Sequence, residues 1–325
     1  MPQSLHTLLV PSTTGGPPRQ LPVLTITAEK PGPRVVITAN VHGDEVTGVG
    51  VVHALPKILE GKLSKGSVLL YPTLNPVGLA SMTRTVPPDG RDLNRLFPGD
   101  AKGTPTDRHA RIIWDDLIRH RPDLLIDLHA DSALSIPYAI VDRAVHLRQR
   151  AREKLEKRAY EVAEATGLTV LREYEDPQYA HFGLDRSLTG SVMNLQRIPT
   201  VTIEAGPRLH LDPAAVEITK KSVCSVLSHL NMLKTQESYT DPSRVVGGPW
   251  RRSSGPRAAN AGFLVPLVEV GQTLKKGQPL AEVRSLTGKS IEKLRTRESG
   301  VVVSLPERAW VSPGIAVGTL AAEDR

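Results

Sequence analysis

The chain has 325 residues, of which 39% are hydrophobic and 23% charged, a composition typical of a globular protein with one large domain or two. The net charge is +7, but basic residues are interleaved with acidic ones instead of forming a stripe, so we predict no nucleic-acid partner. No stretch approaches the roughly 20 apolar residues that cross a bilayer, and residues 1–16 lack the order of a secretory signal, so we expect a cytoplasmic protein without a membrane partner.

Short β-prone runs alternate with helical stretches from residue 21 to about residue 233. This alternation predicts an α/β domain with a largely parallel or mixed sheet flanked by helices. The predicted strands are 21–27, 35–40, 68–73, 123–128, 137–141, 168–172 and 200–204. The predicted helices are 45–60, 107–120, 144–166, 187–196 and 213–233.

Two breaks interrupt this pattern. Residues 74–106 are rich in proline and glycine and show no periodicity, and long loops of this kind are usually functional or disordered. Residues 238–256 are rich in Ser, Gly, Pro and Arg and predict a linker. The remainder has short β-prone pieces between glycines, so we predict an α/β domain at 1–237, a linker at 238–256 and a small all-β barrel or sandwich domain at 257–325.

An imidazole and a carboxylate lie three positions apart where the second predicted strand gives way to a helix. The turn at Gly43 lets His42 leave the strand tip while Glu45 enters the first helical turn, so both side chains can face one ion. Zinc takes nitrogen and oxygen ligands, and its catalytic sites typically combine three protein ligands with an open position. His42 and Glu45 are therefore candidate zinc ligands, and one more histidine is expected.

The candidate third ligand is His129, which follows the predicted strand 123–128. In open α/β sheets, sites form at the carboxyl ends of strands, where His42 would also lie. Asp127 is two residues before His129 and so faces the same side of the strand, from which its carboxylate can orient the imidazole.

Two further segments offer groups for chemistry. Glu204 ends a short apolar strand, where an unpaired carboxylate is costly, so it is the candidate for the group that moves a proton from water to a leaving amine. The alternative is a structural glutamate paired with an arginine. In the long loop, Asn94 and Arg95 suit a substrate carboxylate, because a guanidinium group binds a carboxylate through two parallel hydrogen bonds.

Four motifs, in this order and at this approximate spacing, resemble the succinylglutamate desuccinylase and aspartoacylase family, relatives of the zinc carboxypeptidases. They are His42-Gly43-Asp44-Glu45, Asp92-Leu93-Asn94-Arg95 with Phe97-Pro98-Gly99, Asp127-Leu128-His129, and Thr202-Ile203-Glu204-Ala205-Gly206. The resemblance covers roughly residues 20–235, and a β-domain of family type follows.

The resemblance implies a zinc carboxypeptidase-like fold with one zinc ion per chain. It implies these roles: His42, Glu45 and His129 as zinc ligands, Glu204 as general base and then acid, Asn94 and Arg95 on the substrate carboxylate, and Arg84 polarising the scissile carbonyl. The implied reaction is hydrolysis of a small anionic N-acyl amino acid, or a related amide, to a carboxylate and a free amine. Two alternatives stay open, a zinc carboxypeptidase acting on short peptides and a metal- or ligand-binding protein without turnover.

The predicted β-domain has its own resemblance. Residues 262–284 resemble half of a biotinyl or lipoyl carrier barrel, and Lys289 lies about where carriers bear their cofactor. Its neighbours Gly288 and Ser290 do not match the Asp-Lys-Ala or Met-Lys-Met settings of those carriers. We therefore predict an unmodified barrel that borders the catalytic cleft or builds a homo-oligomer.

Overall fold

The computed structural model of the protein describes residues 3–12 and 16–324. Its strands are β1 (Gln3–Val10), β2 (Arg19–Thr27), β3 (Lys30–Ala39), β4 (Lys65–Tyr71), β5 (Leu124–His129), β6 (Tyr138–Val141), β7 (Thr169–Arg172), β8 (Thr200–Glu204), β9 (Trp250–Ser254), β10 (Gly262–Pro266), β11 (Thr273–Leu274), β12 (Pro279–Arg284), β13 (Ser290–Arg295), β14 (Gly300–Ser304), β15 (Trp310–Val311) and β16 (Thr319–Glu323). Its α-helices are α1 (Thr47–Leu59), α2 (Pro76–Ser81), α3 (Pro105–Arg119), α4 (Gln149–Glu164), α5 (Asp176–His181), α6 (Leu188–Ser191) and α7 (Pro213–His229).

A mixed sheet of twelve strands organises the molecule, in the order β1-β2-β4-β3-β5-β8-β6-β7-β9-β16-β14-β11. Strands β4, β3, β5 and β8 run parallel to one another, whereas β2 runs antiparallel to β4 and β6 antiparallel to β8. The carboxyl ends of β3, β5 and β8 therefore meet at one edge of the sheet. The predicted α/β fold with a mixed sheet and flanking helices is confirmed.

The central strands are apolar because helices cover both faces of the sheet. On one face, Val35 and Ile37 of β3 share a buried core with residues of α1, α4 and α7. On the other face, Val36 packs in a second core that includes Ile113 and Leu117 of α3. This double burial explains the continuous β-branched runs in the sequence.

The long segment between β4 and α3 is less irregular than predicted. It contains α2 and a single 3-10 turn at Leu93–Arg95. Asn75 caps α2 by accepting a hydrogen bond from the Gly78 amide at 2.8 Å, and Pro76 occupies the first turn. Asp92 caps the 3-10 turn in the same way through the Asn94 amide at 2.9 Å. Capping by short polar side chains thus gives this segment a defined shape.

The C-terminal strands contribute to two sheets. Strands β9, β16, β14 and β11 extend the twelve-stranded sheet, and β13, β12, β10 and β15 form a second sheet of four strands. A buried aliphatic core, which includes Leu280, Val283, Val302 and Leu320, lies between them. The predicted division into two domains stays a prediction.

The stretch predicted as a linker, residues 238–256, contains strand β9. This strand pairs in parallel with β7 and antiparallel with β16, so it joins the two parts of the large sheet. Its sequence, Trp-Arg-Arg-Ser-Ser, did not indicate a strand because it is polar. The structure accounts for that polarity, since Arg251 pairs with Glu298 at 2.5 Å and Arg252 with Glu173 at 2.9 Å.

Among the described residues, no helix combines the length and the apolar character that crossing a membrane requires.

Candidate active site

A tight loop after β3 positions His42 and Glu45. Asn40 adopts a left-handed backbone conformation (φ 58°), and its side-chain Nδ2 donates to the carbonyl oxygens of His42, Gly43 and Glu45 at 2.9, 3.1 and 3.0 Å. Gly43 is required because a Cβ there would lie 2.0 Å from the carbonyl carbon of Gly78. One buried amide and one glycine therefore hold the loop that presents both side chains.

The three predicted metal ligands converge. His42 Nδ1 lies 2.9 Å from Glu45 Oε1, and His129 Nδ1 lies 2.8 Å from Glu45 Oε2. One ligand atom from each residue lies within 4.8 Å of the other two, and all three side chains are buried. The nitrogen, carboxylate oxygen and nitrogen set is one that zinc favours, so these residues fit the metal.

Each imidazole also has a carboxylate near its Nε2 atom, on the side that faces away from Glu45. His129 Nε2 lies 2.9 Å from Asp127 Oδ2, and Asp127 Oδ1 accepts a 2.7 Å hydrogen bond from the Thr38 hydroxyl. His42 Nε2 lies 3.3 Å from Asp92 Oδ1. Carboxylates in these positions fix the ring orientation of metal-binding histidines, so the surroundings of the cluster also fit a metal.

The ionisation state of Glu45 suits a residue that binds a metal ion. Burial opposes its ionisation, yet His42 and His129 hold the pKa of Glu45 well below its ordinary value. The Ala130 amide also donates to Glu45 Oε2 at 3.2 Å. Glu45 is therefore a carboxylate at neutral pH, the form that binds a cation.

Glu204 ends β8 directly beside His129 in the parallel pairing and opposite Tyr138 of β6. Its carboxyl group makes no hydrogen bond or ion pair with the part of the chain that the structure describes. Burial raises the pKa of Glu204 to about 7. The nearby His129 opposes this shift, whereas the negative charges of Glu45 and Asp131 favour it. The sequence left open a structural role in which Glu204 pairs with an arginine. No arginine of the described residues forms an ion pair with Glu204, so the geometry does not support that alternative.

One cavity of about 100 Å³ unites the predicted site, and we call it the inner cavity. All seven predicted site residues line it: His42, Glu45, Arg84, Asn94, Arg95, His129 and Glu204. Residues that the sequence analysis did not single out also line it, and these include Asp131, Asp142, Glu173, Arg208 and Arg252. The structure therefore brings the predicted residues together within a larger ring of charged groups.

The predicted arginines differ in their partners. Arg84 Nη1 lies 3.4 Å from Glu45 Oε1, and its Nη2 lies 3.2 Å from Asp92 Oδ2. Arg95 instead donates to the carbonyl oxygens of Phe182 (2.9 Å) and Asn94 (2.6 Å), and no carboxylate of the described residues forms an ion pair with it. Arg95 thus presents its guanidinium to the cavity, and the nearby charge of Asp92 favours its protonated form.

Two arginines in the cavity were missed by sequence reasoning. Arg208 lies four residues after Glu204, and its Nε approaches Glu45 Oε1 at 4.0 Å and the Ala130 carbonyl at 3.4 Å. Its position just after a predicted catalytic motif was a usable signal. Arg252 comes from β9, where the only signal was a polar stretch that resembled a linker, and its guanidinium lies 5.3 Å from the centre of the Tyr174 ring.

A second cavity of about 650 Å³, the outer cavity, adjoins the inner one. The two share Arg84, Asp131, Arg208 and Arg252. Residues of the C-terminal part, among them Ser304, Glu307 and Thr319, line the outer cavity as well. The C-terminal strands therefore border the cleft.

The sheet order and the His-Glu-His cluster at the strand ends define a metallo-carboxypeptidase-like α/β fold. The fold is similar to that of a metallo-carboxypeptidase from Burkholderia cenocepacia, with a TM-score of 0.55, 19% identity and coverage of 70% of this chain and 65% of that chain. Residues 31–230 match the family model of the succinylglutamate desuccinylase/aspartoacylase catalytic domain, and the chain belongs to this family. The resemblance seen in the sequence is confirmed.

Two further relatives agree with this assignment. The chain is 26% identical over 305 residues to an N-alpha-acetyl-L-2,4-diaminobutyric acid deacetylase from Halomonas elongata, covering 92% of this chain and 84% of the relative. A succinylglutamate desuccinylase/aspartoacylase from Rhodobacter sphaeroides has the same fold, with a TM-score of 0.80, 22% identity and coverage of 99% and 96% of the two chains. Members of the family are thus amide deacylases.

Proposed function

We propose that this protein is a zinc-dependent amidohydrolase that releases a carboxylate and a free amine from a small N-acyl amino acid or related amide. The observation that carries the proposal is the inner cavity, where an unpaired Glu204 lies beside the His42, Glu45 and His129 cluster. The name of the Halomonas relative, a deacetylase of an N-acetyl amino acid, supports the same reaction type.

Nδ1 of His42, the carboxylate of Glu45 and Nδ1 of His129 would hold one zinc ion per chain. Asp92 and Asp127 keep the two imidazoles in the orientation that directs these nitrogens at Glu45. Zinc, when bound, supplies Lewis acidity, which lowers the pKa of water and polarises a carbonyl group.

Glu204 carries the proton. It accepts a proton from water while the water oxygen bonds to the carbonyl carbon, holds that proton on its carboxyl oxygen, and returns it to the amide nitrogen as the carbon–nitrogen bond breaks. A pKa near 7 suits both directions of transfer, because a group that must gain and lose a proton works best close to the ambient pH.

The arginines orient the substrate. Arg84 lines both cavities, so its guanidinium can donate to the scissile carbonyl oxygen at their junction. Arg95 and Asn94 bind the carboxylate of the amino acid. Arg95 forms no ion pair with a described carboxylate, and Asn94 Oδ1 accepts from the Leu188 amide at 2.7 Å, which leaves Nδ2 to donate. The amino-acid half then occupies the inner cavity, and the acyl group faces the outer cavity.

A carboxypeptidase acting on short peptides is the second candidate, because the fold is similar to that of a metallo-carboxypeptidase and Arg95 equally suits a C-terminal carboxylate. Residues of the C-terminal part, among them Ser304, Glu307 and Thr319, line the outer cavity, which favours small acyl groups over long peptides. We also propose that the protein is cytoplasmic and that it forms a homo-oligomer through its C-terminal strands.

The experiment is a panel of N-acetyl amino acids, N-succinyl amino acids and dipeptides, assayed for free amine with added zinc and with a chelator. We expect zinc-dependent release from at least one N-acyl amino acid and little from dipeptides. Faster cleavage of dipeptides would favour the carboxypeptidase. A lack of metal-dependent release from every substrate would favour the ligand-binding protein.

A further inference from the structure

A second cluster of metal-binding side chains lies outside both cavities, where β1 packs against α3. Its members are His6 of β1, Asp116 of α3, and His120, which directly follows α3. One ligand atom from each residue lies within 4.8 Å of the other two. None of the three lines the inner or the outer cavity, so the proposed active site does not account for them. We call this group the β1–α3 cluster.

The periodicity of the two elements directs the three side chains at one another. Asp116 and His120 are four residues apart, the spacing that puts two side chains on the same face of a helix. Leu8 of β1 packs against the buried core that contains Leu117 of α3. Side chains two residues apart in a strand share a face, so His6 points towards α3 as Leu8 does. Two groups that are close in sequence thus meet a third that is remote.

The distances within the β1–α3 cluster suit an ion. His6 Nε2 lies 3.0 Å from Asp116 Oδ2, and His120 Nε2 lies 3.7 Å from Asp116 Oδ1. The second distance is too long for a hydrogen bond, and no group of the described residues forms one with this buried nitrogen. Two ligand atoms of a tetrahedral zinc ion, at the usual bond lengths, lie roughly 3.3 Å apart. Both distances are close to this value, so a zinc ion would give His120 Nε2 the partner that it lacks.

The surroundings hold the carboxylate in place and leave the imidazoles accessible. The Tyr71 hydroxyl donates to Asp116 Oδ2 at 2.8 Å, and only 2% of the Asp116 side chain is exposed. A hydrogen bond of this kind orients a carboxylate that binds a metal. The side chains of His6 and His120 are 33% and 29% exposed, so an ion can enter from solution and keep a water molecule in its fourth position.

We propose that His6, Asp116 and His120 form a second zinc site, which fastens β1 to α3. Strand β1 lies at the edge of the large sheet, with β2 as its only partner among the described strands. An ion that binds only the folded arrangement stabilises it, so zinc holds this edge strand on the body of the protein. The site is independent of the proposed function, because it shares no residue with the inner cavity.

One cation of the protein competes with the ion. The Arg119 guanidinium pairs with Asp116 Oδ1, but the Arg119 side chain is 67% exposed and can turn into solvent. This competition makes the second site weaker than the buried cluster of the inner cavity. Dialysis against a weak chelator therefore empties the second site and leaves the inner one occupied.

The test titrates zinc into the dialysed protein by calorimetry, above about pH 7, where imidazoles are mostly neutral. We expect the wild type to bind one zinc ion per chain in addition to what it retains. His6→Gln and His120→Gln should each weaken this binding by more than about a hundredfold, because losing a ligand costs more than losing the hydrogen-bond partner of a ligand. His53→Gln, a change at an exposed histidine of α1, is the matched control and should bind zinc like the wild type.

Two further measurements address the contacts themselves. Arg119→Gln removes the competing cation, so we expect zinc to bind about twofold to fivefold more tightly, as the strength of an exposed ion pair implies. Weaker binding in this variant would contradict the assigned ligand Asp116. Zinc should also slow hydrogen exchange of the β1 amides in the wild type but not in His6→Gln, because only the wild type has β1 fastened by the ion.

A wild type that binds no additional zinc would overturn the inference, whether or not the variants fold. Equal affinity in the wild type, His6→Gln and His120→Gln would overturn it too, because the ion would then be held elsewhere. His129→Ala separates this inference from the proposed function, since it removes a ligand of the inner cavity and should still bind zinc at the second site. A second-site ion without metal-dependent turnover of any substrate would keep the site and reject the amidohydrolase, whereas turnover without that ion would do the reverse.

Discussion

Asp127 and His129 lie on the same face of β5, and Asp127 Oδ2 lies 2.9 Å from Nε2 of the imidazole. This contact leaves Nδ1 of His129 facing Glu45 at 2.8 Å. Asp127 is itself fully buried and held by the Thr38 hydroxyl, so the imidazole cannot turn without breaking a chain of hydrogen bonds. The orientation of one metal-binding residue is thus encoded two residues earlier in the sequence.

We predict that Asp127→Asn weakens zinc binding by about tenfold to a hundredfold without unfolding the protein, because the amide keeps the shape but supplies no negative charge to the imidazole. Competition with a coloured chelator measures the affinity. Asp115→Asn, an exposed change, should bind zinc like the wild type. Unchanged affinity in Asp127→Asn would show that the carboxylate does not tune the ligand.

His129→Ala should lower the zinc content sharply, since it removes one of three protein ligands. Elemental analysis after dialysis against a weak chelator gives the metal content. His53→Ala is the matched control, because His53 is an exposed residue of α1 and not part of the cluster. Full retention of zinc by His129→Ala would exclude the proposed metal site.

For Glu204→Gln, we expect close to one zinc ion per chain and a loss of kcat by about a hundredfold or more, because the amide cannot accept the proton from water. The two measurements must be made on the same preparation, so that lost metal is not mistaken for lost proton transfer. Substantial remaining activity would remove Glu204 from this role.

The parts of this molecule that could be predicted from sequence are those where local pattern and function coincide. Strands β3, β5 and β8 are buried on both faces, and such strands have continuous apolar sequences that can be recognised. Their carboxyl ends, where His42, His129 and Glu204 lie, could therefore be predicted as well. Strand β9 and Arg252 could not be predicted in this way. Their polarity is compensated by Glu173 and Glu298, which lie 79 and 47 residues away from their arginine partners in the chain.

Asp142 shows the same limit at the level of chemistry. In sequence it is an ordinary acidic residue after a short strand. Its place in the site depends on the antiparallel pairing of β6 with β8, which brings it into the cavity of Glu204. Such a placement becomes visible only when the neighbouring strands have been located in space.

A buried histidine remote from the cluster predicts how stability depends on pH. His109 of α3 is fully buried, its Nε2 lies 2.8 Å from the Leu74 carbonyl oxygen, and no group of the described residues forms a hydrogen bond with its Nδ1. Burial lowers the pKa of His109 to about 4, although the bond to Leu74 opposes this shift. In the unfolded chain the same group titrates near 6.5.

Between these two pKa values the unfolded chain binds a proton that the folded protein does not, so the free energy of unfolding falls as the pH drops from above 6.5 towards 4. The loss from this residue approaches about 3 kcal/mol at its limit. In His109→Gln, the side-chain amide can still donate to Leu74 but does not titrate. We therefore expect the variant to be the less stable protein near neutral pH and to lose about 2 kcal/mol less than the wild type on acidification to about pH 4.5.

Urea unfolding of the chelator-treated proteins at both pH values measures this difference, and chelation removes the contribution of metal release. His53→Gln, an exposed change, should show the same pH dependence as the wild type. Parallel losses of stability in His109→Gln and the wild type would show that His109 does not remain neutral in the folded protein, because only a group that titrates differently in the two states can contribute to the slope.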